Sequence, residues 1–527
     1  MATATPPAHT STLADLVFAQ ARTRPDRVAL IDAEGSLTWS DLAELIDRLS
    51  SSLTAMGVRR GHRVAVADTP SAAYVALYFA TASRGAVLCP LNTRAPASEL
   101  ASLVGRLKPH ALIVGPEFAD TVSAAAASAS ARCVIGTPTR SWCSLLLDLA
   151  QRHVPQTTSA NEGHLADVHM ILFTSGTASA PKGVLISQQR SLINAFAAAQ
   201  ANEVTEADRV IAYQPLFHTG GWDMIVQHLA VGASAVILPR FDAAEVVSAF
   251  RRWNGTTIFG VPLVLDAVIT ADDPSDTALG TVRHIGFACF DPTDLMRAAG
   301  RAFTDRARGP VRFHHVYGQT EAGSYISVAH ADRIDDVLDH VGRPVPGAVV
   351  ALLDERGHEV EPGEPGEVCL RGPAGMDGYL DDPAATAQAL RDGWFHTGDL
   401  AIRDTEGRLT IVGRIKDLVR TGGENVAPRE VEQVLLQHPA VAECAVFGLP
   451  DDRYDEVVAA AIVCRPGASV DAQELREWAR GRLAGYKLPR AVVQLDALPR
   501  NQAGKLARTQ LIDQLRSRPT DTVTTRT

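Results

Sequence analysis

The chain has 527 residues, 46% of them hydrophobic and 21% charged, with a net charge of −10. That length exceeds a single ordinary core and indicates a globular protein of several domains rather than a disordered or fibrous one. With 60 acidic against 50 basic residues and no basic run, a nucleic-acid backbone is excluded as a partner.

No stretch of about 18 uncharged apolar residues occurs, and the opening MATATPPAHTSTLADL has neither a basic nor an apolar leader segment. No membrane partner is expected, and the cytoplasm is the expected location. The seven cysteines (Cys89, Cys133, Cys143, Cys289, Cys369, Cys444 and Cys464) are scattered without a CxxC pair. This argues against a disulfide framework and against a structural zinc site.

Short β-type runs recur at 28–33, 63–68, 111–115, 132–136, 170–175, 209–215, 234–239 and 256–262. Helical patterns alternate with them, as in SDLAELIDRLSSSLTAMG (40–57), where apolar residues fall at helical spacing and Gly57 is the stop. The pattern predicts an α/β protein with layered, largely parallel sheets.

From about 340 the sequence becomes Gly- and Pro-punctuated short strands, predicting a β-rich subdomain to 413. After GRIKD (413–417) a compact β/α pattern predicts a small, mobile α+β domain over 414–515, distinct from the large N-terminal domain of residues 1–413. Residues 516–527 read as a disordered tail.

TSGTASAPKG (174–183) follows the apolar run Met170–Phe173 and packs hydroxyls, glycines and one lysine into ten positions. It is not a Walker A loop: Lys182 follows Pro181 and precedes Gly183, where that motif needs a preceding glycine and a following Ser or Thr. A strand ending in such a loop is still suited to phosphate, because Gly176 frees the backbone, donors point into the turn and the lysine offsets negative charge.

The loop resembles the signature of the adenylate-forming superfamily, which includes acyl- and aryl-CoA synthetases. Further pieces of that family's pattern occur in order: YGQTE (317–321), GWFHTGDL (393–400), GRIKDLVRTGGENVAPREVE (413–432), GYKLPR (485–490) and LPRNQAGKLAR (498–508). The resemblance covers about residues 15 to 512. It implies an ATP-dependent ligase that joins a carboxylic acid to AMP, releases pyrophosphate and passes the acyl group to a thiol.

Forming such a mixed anhydride brings two anions together, so positive charge and preorganised donors must surround the α-phosphate. By the resemblance, Thr174, Ser175, Gly176, Thr177 and Lys182 close over the β- and γ-phosphates. Tyr317 stacks on adenine, Thr320 contacts the α-phosphate and Glu321 holds Mg²⁺. Asp399 anchors the ribose with Arg414 beside it, and Lys505 stabilises charge during adenylation. Lys416 matches the hinge about which the small domain rotates, and Gly422 and Gly423 let a pantetheine arm pass close to the backbone.

PLFHTGGWD (215–223) matches the segment whose histidine, here His218, stands between acyl pocket and thiol path. Phe217, Trp222, Gly260, Phe287, Ala288, Cys289 and His315 are the expected walls of the acid site, with His314 beside them. Flat rings favour an aromatic or short planar acid. One departure stands out: HIGFACFDPTDL (284–295) replaces the family's glycine-rich turn, which leaves the particular acid unassigned.

The acceptor is expected to be CoA. A carrier-protein thiol or another nucleophile (amide formation, or nitrite in a diazotisation) stays open, as does a catalytically silent nucleotide-binding scaffold. ATP, Mg²⁺ and CoA are the expected cofactors, with the protein acting as monomer or homodimer.

Overall fold

The apolar runs pair into two large sheets in a computed structural model, which describes residues 11–128, 131–152, 162–174, 181–273, 275, 277–289, 294–451, 453–500 and 506–516. The chain divides into a large unit, drawn from residues up to Thr174, Pro181–Val350 and Leu370–Phe395, and a small unit drawn from Ala351–Cys369 and His396 onward. The division falls inside the β-rich segment instead of at 413. The reason is a hydrogen-bonded ladder: Asp399 to Arg403 pair antiparallel with Leu409 to Arg414, so residues on either side of 413 belong to one sheet.

In the large unit, a nine-stranded sheet runs in the order Arg343–Pro344, Gly323–Ala331, Arg312–Gln319, His284–Phe287, Thr257–Gly260, Arg209–Ala212, Ser234–Ile237, Val28–Asp32, Gly35–Thr38. It is parallel from Arg312–Gln319 to Val28–Asp32 and antiparallel at both margins. A seven-stranded sheet contains Val168–Phe173 as its third strand, antiparallel to Gly183–Ser187 on one side and parallel to Val87–Pro90 on the other. The α/β class expected from the sequence is what the chain adopts.

Helices form where the sequence supplies a cap and a stripe. Thr38 and Asp41 make a reciprocal capping box ahead of Trp39–Ala55, which buries Trp39, Leu42, Ile46, Leu49 and Leu53 on one face. Helices Ala72–Ser83 and Thr219–Ala230 are buried on nearly every side, as befits interior helices. Trp222, on the second of these, stacks on Tyr78 at 4.5 Å and meets the edge of Tyr74 at 5.6 Å.

Period-two alternation then decides which strand side chains face which layer. Ile285 and Phe287 on one strand and Phe313 on its neighbour pack with Met296 and Phe303 of helix Asp294–Arg306. Gly286 and His314, paired in register, belong to the opposite face. On that face Val316 packs with Ala197, Ala198 and Tyr325.

In the small unit, strands Glu424–Val426, Val419–Thr421, Asp455–Cys464 and Val441–Asp451 form an antiparallel sheet, with Ala491–Gln494 added in parallel to Asp455–Cys464. Helices Pro428–Leu436 and Ala472–Ala479 cover it through Val431, Leu435 and Leu475. No helix among the described residues is long and apolar enough to cross a membrane.

Removing Trp222 would empty a site ringed by aromatic side chains. Trp222→Ala should cost about 3–5 kcal/mol, seen as a lower urea midpoint for the large unit's transition.

Candidate active site

The strand Arg312–Gln319 brings Tyr317 to its end and turns at Thr320 and Glu321 before returning as Gly323–Ala331. Gly323 has φ +85°, and a Cβ there would lie 2.3 Å from the Asn194 side chain, so only glycine fits. The turn is fixed from below by Arg190, a residue no motif in the sequence singles out. Its guanidinium is 1% exposed and donates through Nη2 to the Thr320 carbonyl oxygen. Burial pulls its pKa down to about 10, while the carboxylates of Asp223, Asp377 and Glu321 act in the opposite direction and favour the charged form.

Glu321 is joined to Lys182 through a second unforeseen residue. Tyr379 donates its hydroxyl proton to Glu321 Oε1 at 3.1 Å, and Lys182 Nζ lies 4.8 Å from the centre of the Tyr379 ring. Burial, and then the nearby Glu321 charge, push the Tyr379 hydroxyl well above its ordinary range, so it stays a donor. Thr174 and Lys182 close the base of the 174–183 loop: the Thr174 N–H donates to the Lys182 carbonyl at 2.9 Å. Ser175, Gly176 and Thr177 lie outside the described residues.

His218 occupies the residue before helix Thr219–Ala230, with its ring 4.6 Å from that of Phe217. The helix start is tied to the Thr320–Glu321 turn by a buried network. Asp223 Oδ2 accepts from Thr219 Oγ1 and from the Ser324 N–H, both at 3.2 Å, and Ser324 Oγ lies 3.2 Å from Thr219 Oγ1. Burial raises the Asp223 pKa, opposed by these hydrogen bonds and by Arg190. The structure therefore brings His218, Thr320, Glu321 and Lys182 into one connected region of the large unit.

In the small unit, Asp399 is 2% exposed and accepts from Arg414 Nε at 2.9 Å. Its loop hangs from Glu367, also missed from sequence: Oε1 accepts the Gly398 N–H at 2.9 Å and Oε2 accepts from His396 Nδ1 at 2.7 Å. Thr397 donates to the Val368 carbonyl at 2.7 Å and accepts the Asp399 N–H at 3.0 Å. Glu367, Cys369 and His396 place their ligand-type atoms within 4.8 Å of one another, alone among the described residues in doing so. With Nδ1–H donating to Glu367, these side chains form a bracket for the loop rather than an open cation site.

The remaining expectations divide. Lys416 is exposed in the 3₁₀ turn Ile415–Asp417. Gly422 and Gly423, with φ +59° and +85°, are the two-residue turn between Val419–Thr421 and Glu424–Val426, a hairpin whose twist needs positive φ at both positions. Lys505 lies outside the described residues. Arg500 and Leu506 form an antiparallel bridge, and the helix Arg508–Arg516 is anchored by Arg508 donating to Glu432 at 2.6 Å.

Of the expected pocket walls, Trp222 and Phe287 are packed in the core, 1% and 0% exposed. Trp222 is consumed by its stack on Tyr78, and Phe287 by helix Asp294–Arg306 and by His315, whose ring lies 4.7 Å away. His315 faces inward with it, its ring nitrogens 2.8 Å from the Val337 carbonyl and 3.0 Å from that of Cys289. Ala288 and Cys289 are half-buried, and Phe217 is 8% exposed. Gly260 is crowded, since a Cβ would lie 3.0 Å from the Tyr213 hydroxyl.

For a divalent cation, the large unit offers the Glu321 carboxylate, an oxygen donor whose chemistry suits Mg²⁺, on a rigid turn. Cationic and hydroxyl groups nearby suit phosphate.

Comparison with known proteins agrees with this chemistry. The AMP-binding enzyme family matches residues 17–380, and the AMP-binding enzyme C-terminal domain matches residues 430–505. A feruloyl-CoA synthase from Amycolatopsis is 35% identical over 490 residues, covering 92% of this chain and 96% of that one. An indoleacetate–CoA ligase from Aromatoleum aromaticum is 34% identical over 503 residues, covering 94% and 96%. The crystal structure of ATP-bound MatB from Rhodopseudomonas palustris superposes with a TM-score of 0.83 at 29% identity, covering 96% of this chain and 99% of that one.

Because Arg190 is the buried cation among Asp223, Asp377 and Glu321, Arg190→Met should leave buried negative charge unopposed. The expected loss is about 3–5 kcal/mol, measured by urea denaturation. Arg190→Lys should recover only part of it, since an ammonium lacks the planar fork.

Proposed function

The chain belongs to the AMP-binding enzyme family, the adenylate-forming acyl- and aryl-CoA synthetases, and from that premise we propose that its acid is aromatic. The general activity is ATP-dependent acid–CoA ligation: the acid is converted to an acyl-adenylate with release of pyrophosphate, and the acyl group then passes to the CoA thiol. ATP and CoA are substrates, and Mg²⁺ is the cofactor.

The reading of the acid is carried by the full-length likeness to two ligases named for feruloyl and indoleacetate substrates, each matched over more than nine-tenths of both chains. Mg²⁺, held at Glu321, would neutralise phosphate charge as the carboxylate attacks. The other steps fall to the chain itself. Lys182, with Thr174, Ser175, Gly176 and Thr177, takes the β- and γ-phosphates. Tyr317 stacks on adenine, and Thr320, its backbone held by Arg190, donates to the α-phosphate.

Asp399 serves as acceptor for the ribose hydroxyls. Its bond to Arg414 and the Glu367 bracket keep it aimed. Lys505 supplies the cation that stabilises charge while the adenylate forms. His218 stands where the thiol meets the acyl group, and Lys416, Gly422 and Gly423 belong to the thioester step.

ATP–pyrophosphate exchange over benzoate, 4-hydroxycinnamate, indoleacetate, malonate and octanoate tests the proposal. Aromatic acids should drive exchange best. Exchange confined to malonate or octanoate would overturn the aromatic reading, and addition of CoA to the active acid should yield its thioester by mass spectrometry. Lys505→Ala should depress exchange by about 10²-fold or more while sparing thioester formation from supplied acyl-adenylate. An equal loss of both steps would remove Lys505 from its assigned role.

A further inference from the structure

A two-residue strand, Gly378–Tyr379, links the parts of the large unit that the reading above assigns to phosphate and to metal. It pairs antiparallel with Gly183–Ser187, the strand that leaves Lys182: Gly378 lies opposite Leu185 and Tyr379 opposite Val184. Main-chain bonds extend the contact on both sides. The Leu380 N–H donates to the Gly183 carbonyl at 2.7 Å, and the Asp377 N–H to that of Leu185 at 3.0 Å. One residue earlier, the Met376 N–H donates to the Glu321 carbonyl at 2.7 Å. Tyr379 is itself tied down, its N–H donating to Thr386 Oγ1 at 2.9 Å.

Its side chain thus starts from a fixed point and meets a cation and an anion. The hydroxyl donates to Glu321 Oε1 at 3.1 Å, and the Lys182 ammonium lies 4.8 Å from the ring centre, within cation–π range. The backbone around Lys182 is also held. Its carbonyl accepts the Thr174 N–H at 2.9 Å, and the preceding Pro181 carbonyl accepts from Arg106 Nη1 at 2.6 Å.

The phenol therefore takes the ammonium on its face and the carboxylate at its hydroxyl. In direct contact those two groups would neutralise one another, and a neutralised pair offers little to a triphosphate or to a divalent cation. Building on the assignment of Lys182 to the β- and γ-phosphates and of Glu321 to Mg²⁺, we propose that Tyr379 is a positioning residue that holds these opposite charges apart. Its ring gives the ammonium a resting place from which a triphosphate can draw it, because a cation–π contact is weaker than a charged bond to phosphate. Its hydroxyl occupies one oxygen of Glu321 and leaves the other to the metal. Loss of the hydroxyl alone loosens the metal, whereas loss of the ring lets the lysine fall onto the carboxylate.

Calorimetric titration of ATP into the full chain, at stepped free Mg²⁺ and in EDTA, separates these effects without turnover. Tyr379→Phe keeps the ring, so its affinity for ATP in EDTA should stay within about twofold of wild type. The Mg²⁺ concentration that gives half of the metal's enhancement should rise about tenfold. Tyr379→Leu should weaken ATP binding in EDTA by about fivefold. Glu321→Gln should then improve binding in EDTA by about threefold or more beyond the gain it gives in the otherwise wild-type chain, since only without the ring does the carboxylate hold the lysine.

A merely structural loss would weaken ATP binding alike with and without metal. That pattern in Tyr379→Phe, or an unchanged Mg²⁺ requirement, would overturn the inference, as would equal gains from Glu321→Gln in the two backgrounds. If Tyr379→Leu does not fold, Tyr379→Phe, which lacks a single oxygen atom, decides the matter alone. A Glu321→Gln chain that keeps the wild-type Mg²⁺ requirement would instead remove the metal assignment on which the inference rests.

Discussion

The large unit is organised around one buried cation. Arg190 enters from helix Gln188–Ala201, just past the strand that succeeds the 174–183 loop, and holds the carbonyl of Thr320 among three acidic side chains. A buried guanidinium is costly to desolvate, and it is tolerated where acceptors and opposite charge compensate it. The same arrangement therefore serves two ends. It offsets the burial of Asp223, and it presents Thr320 and Glu321 outward on a turn that cannot relax. The start of helix Thr219–Ala230 is bound to that turn through Asp223 and Ser324, so the histidine ahead of the helix is positioned by the same charge.

Much of this fold was legible in the sequence, because strand runs and capped helices obey local rules. Apolar residues at helical spacing over 40–57 announced a helix, and the run from Met170 to Phe173 announced a strand ending in a loop suited to phosphate. The ordered motifs also located Thr320, Glu321, Asp399 and Arg414 before any coordinates. What local sequence could not settle was facing. Phe287 and Gly286 are neighbours in sequence, and nothing local says which points to the core; helix Asp294–Arg306, packed against one side, decides it. The two faces of strand Arg312–Gln319 differ in the same way. His315 packs against Phe287, while His314 is buried on the opposite face beside His284.

The supporting residues were hidden for a different reason. Arg190, Glu367 and Tyr379 lie far in sequence from the motif residues they hold, and each is an ordinary residue type in an ordinary local context. Their function exists only in the tertiary contact. The double glycine shows the converse. Gly422 and Gly423 suggested a passage for a slender chain, yet a two-residue hairpin demands glycine-like backbone there on its own account. Their presence alone thus carries less functional information than the motif implied.

The ladder between Asp399 and Arg414 has a mechanical corollary. Hydrogen-bonded rungs resist torsion, and Arg414 occupies the final rung, locked to the carboxylate opposite it. Ile415–Asp417, a single loose turn before the next β-segment begins at Val419, is the first stretch free of that lattice. Under the hinge role proposed for Lys416, any swivelling of the chain beyond it would be taken up in those few backbone angles. Arg414, which braces the proposed ribose anchor, would then mark where the bending begins.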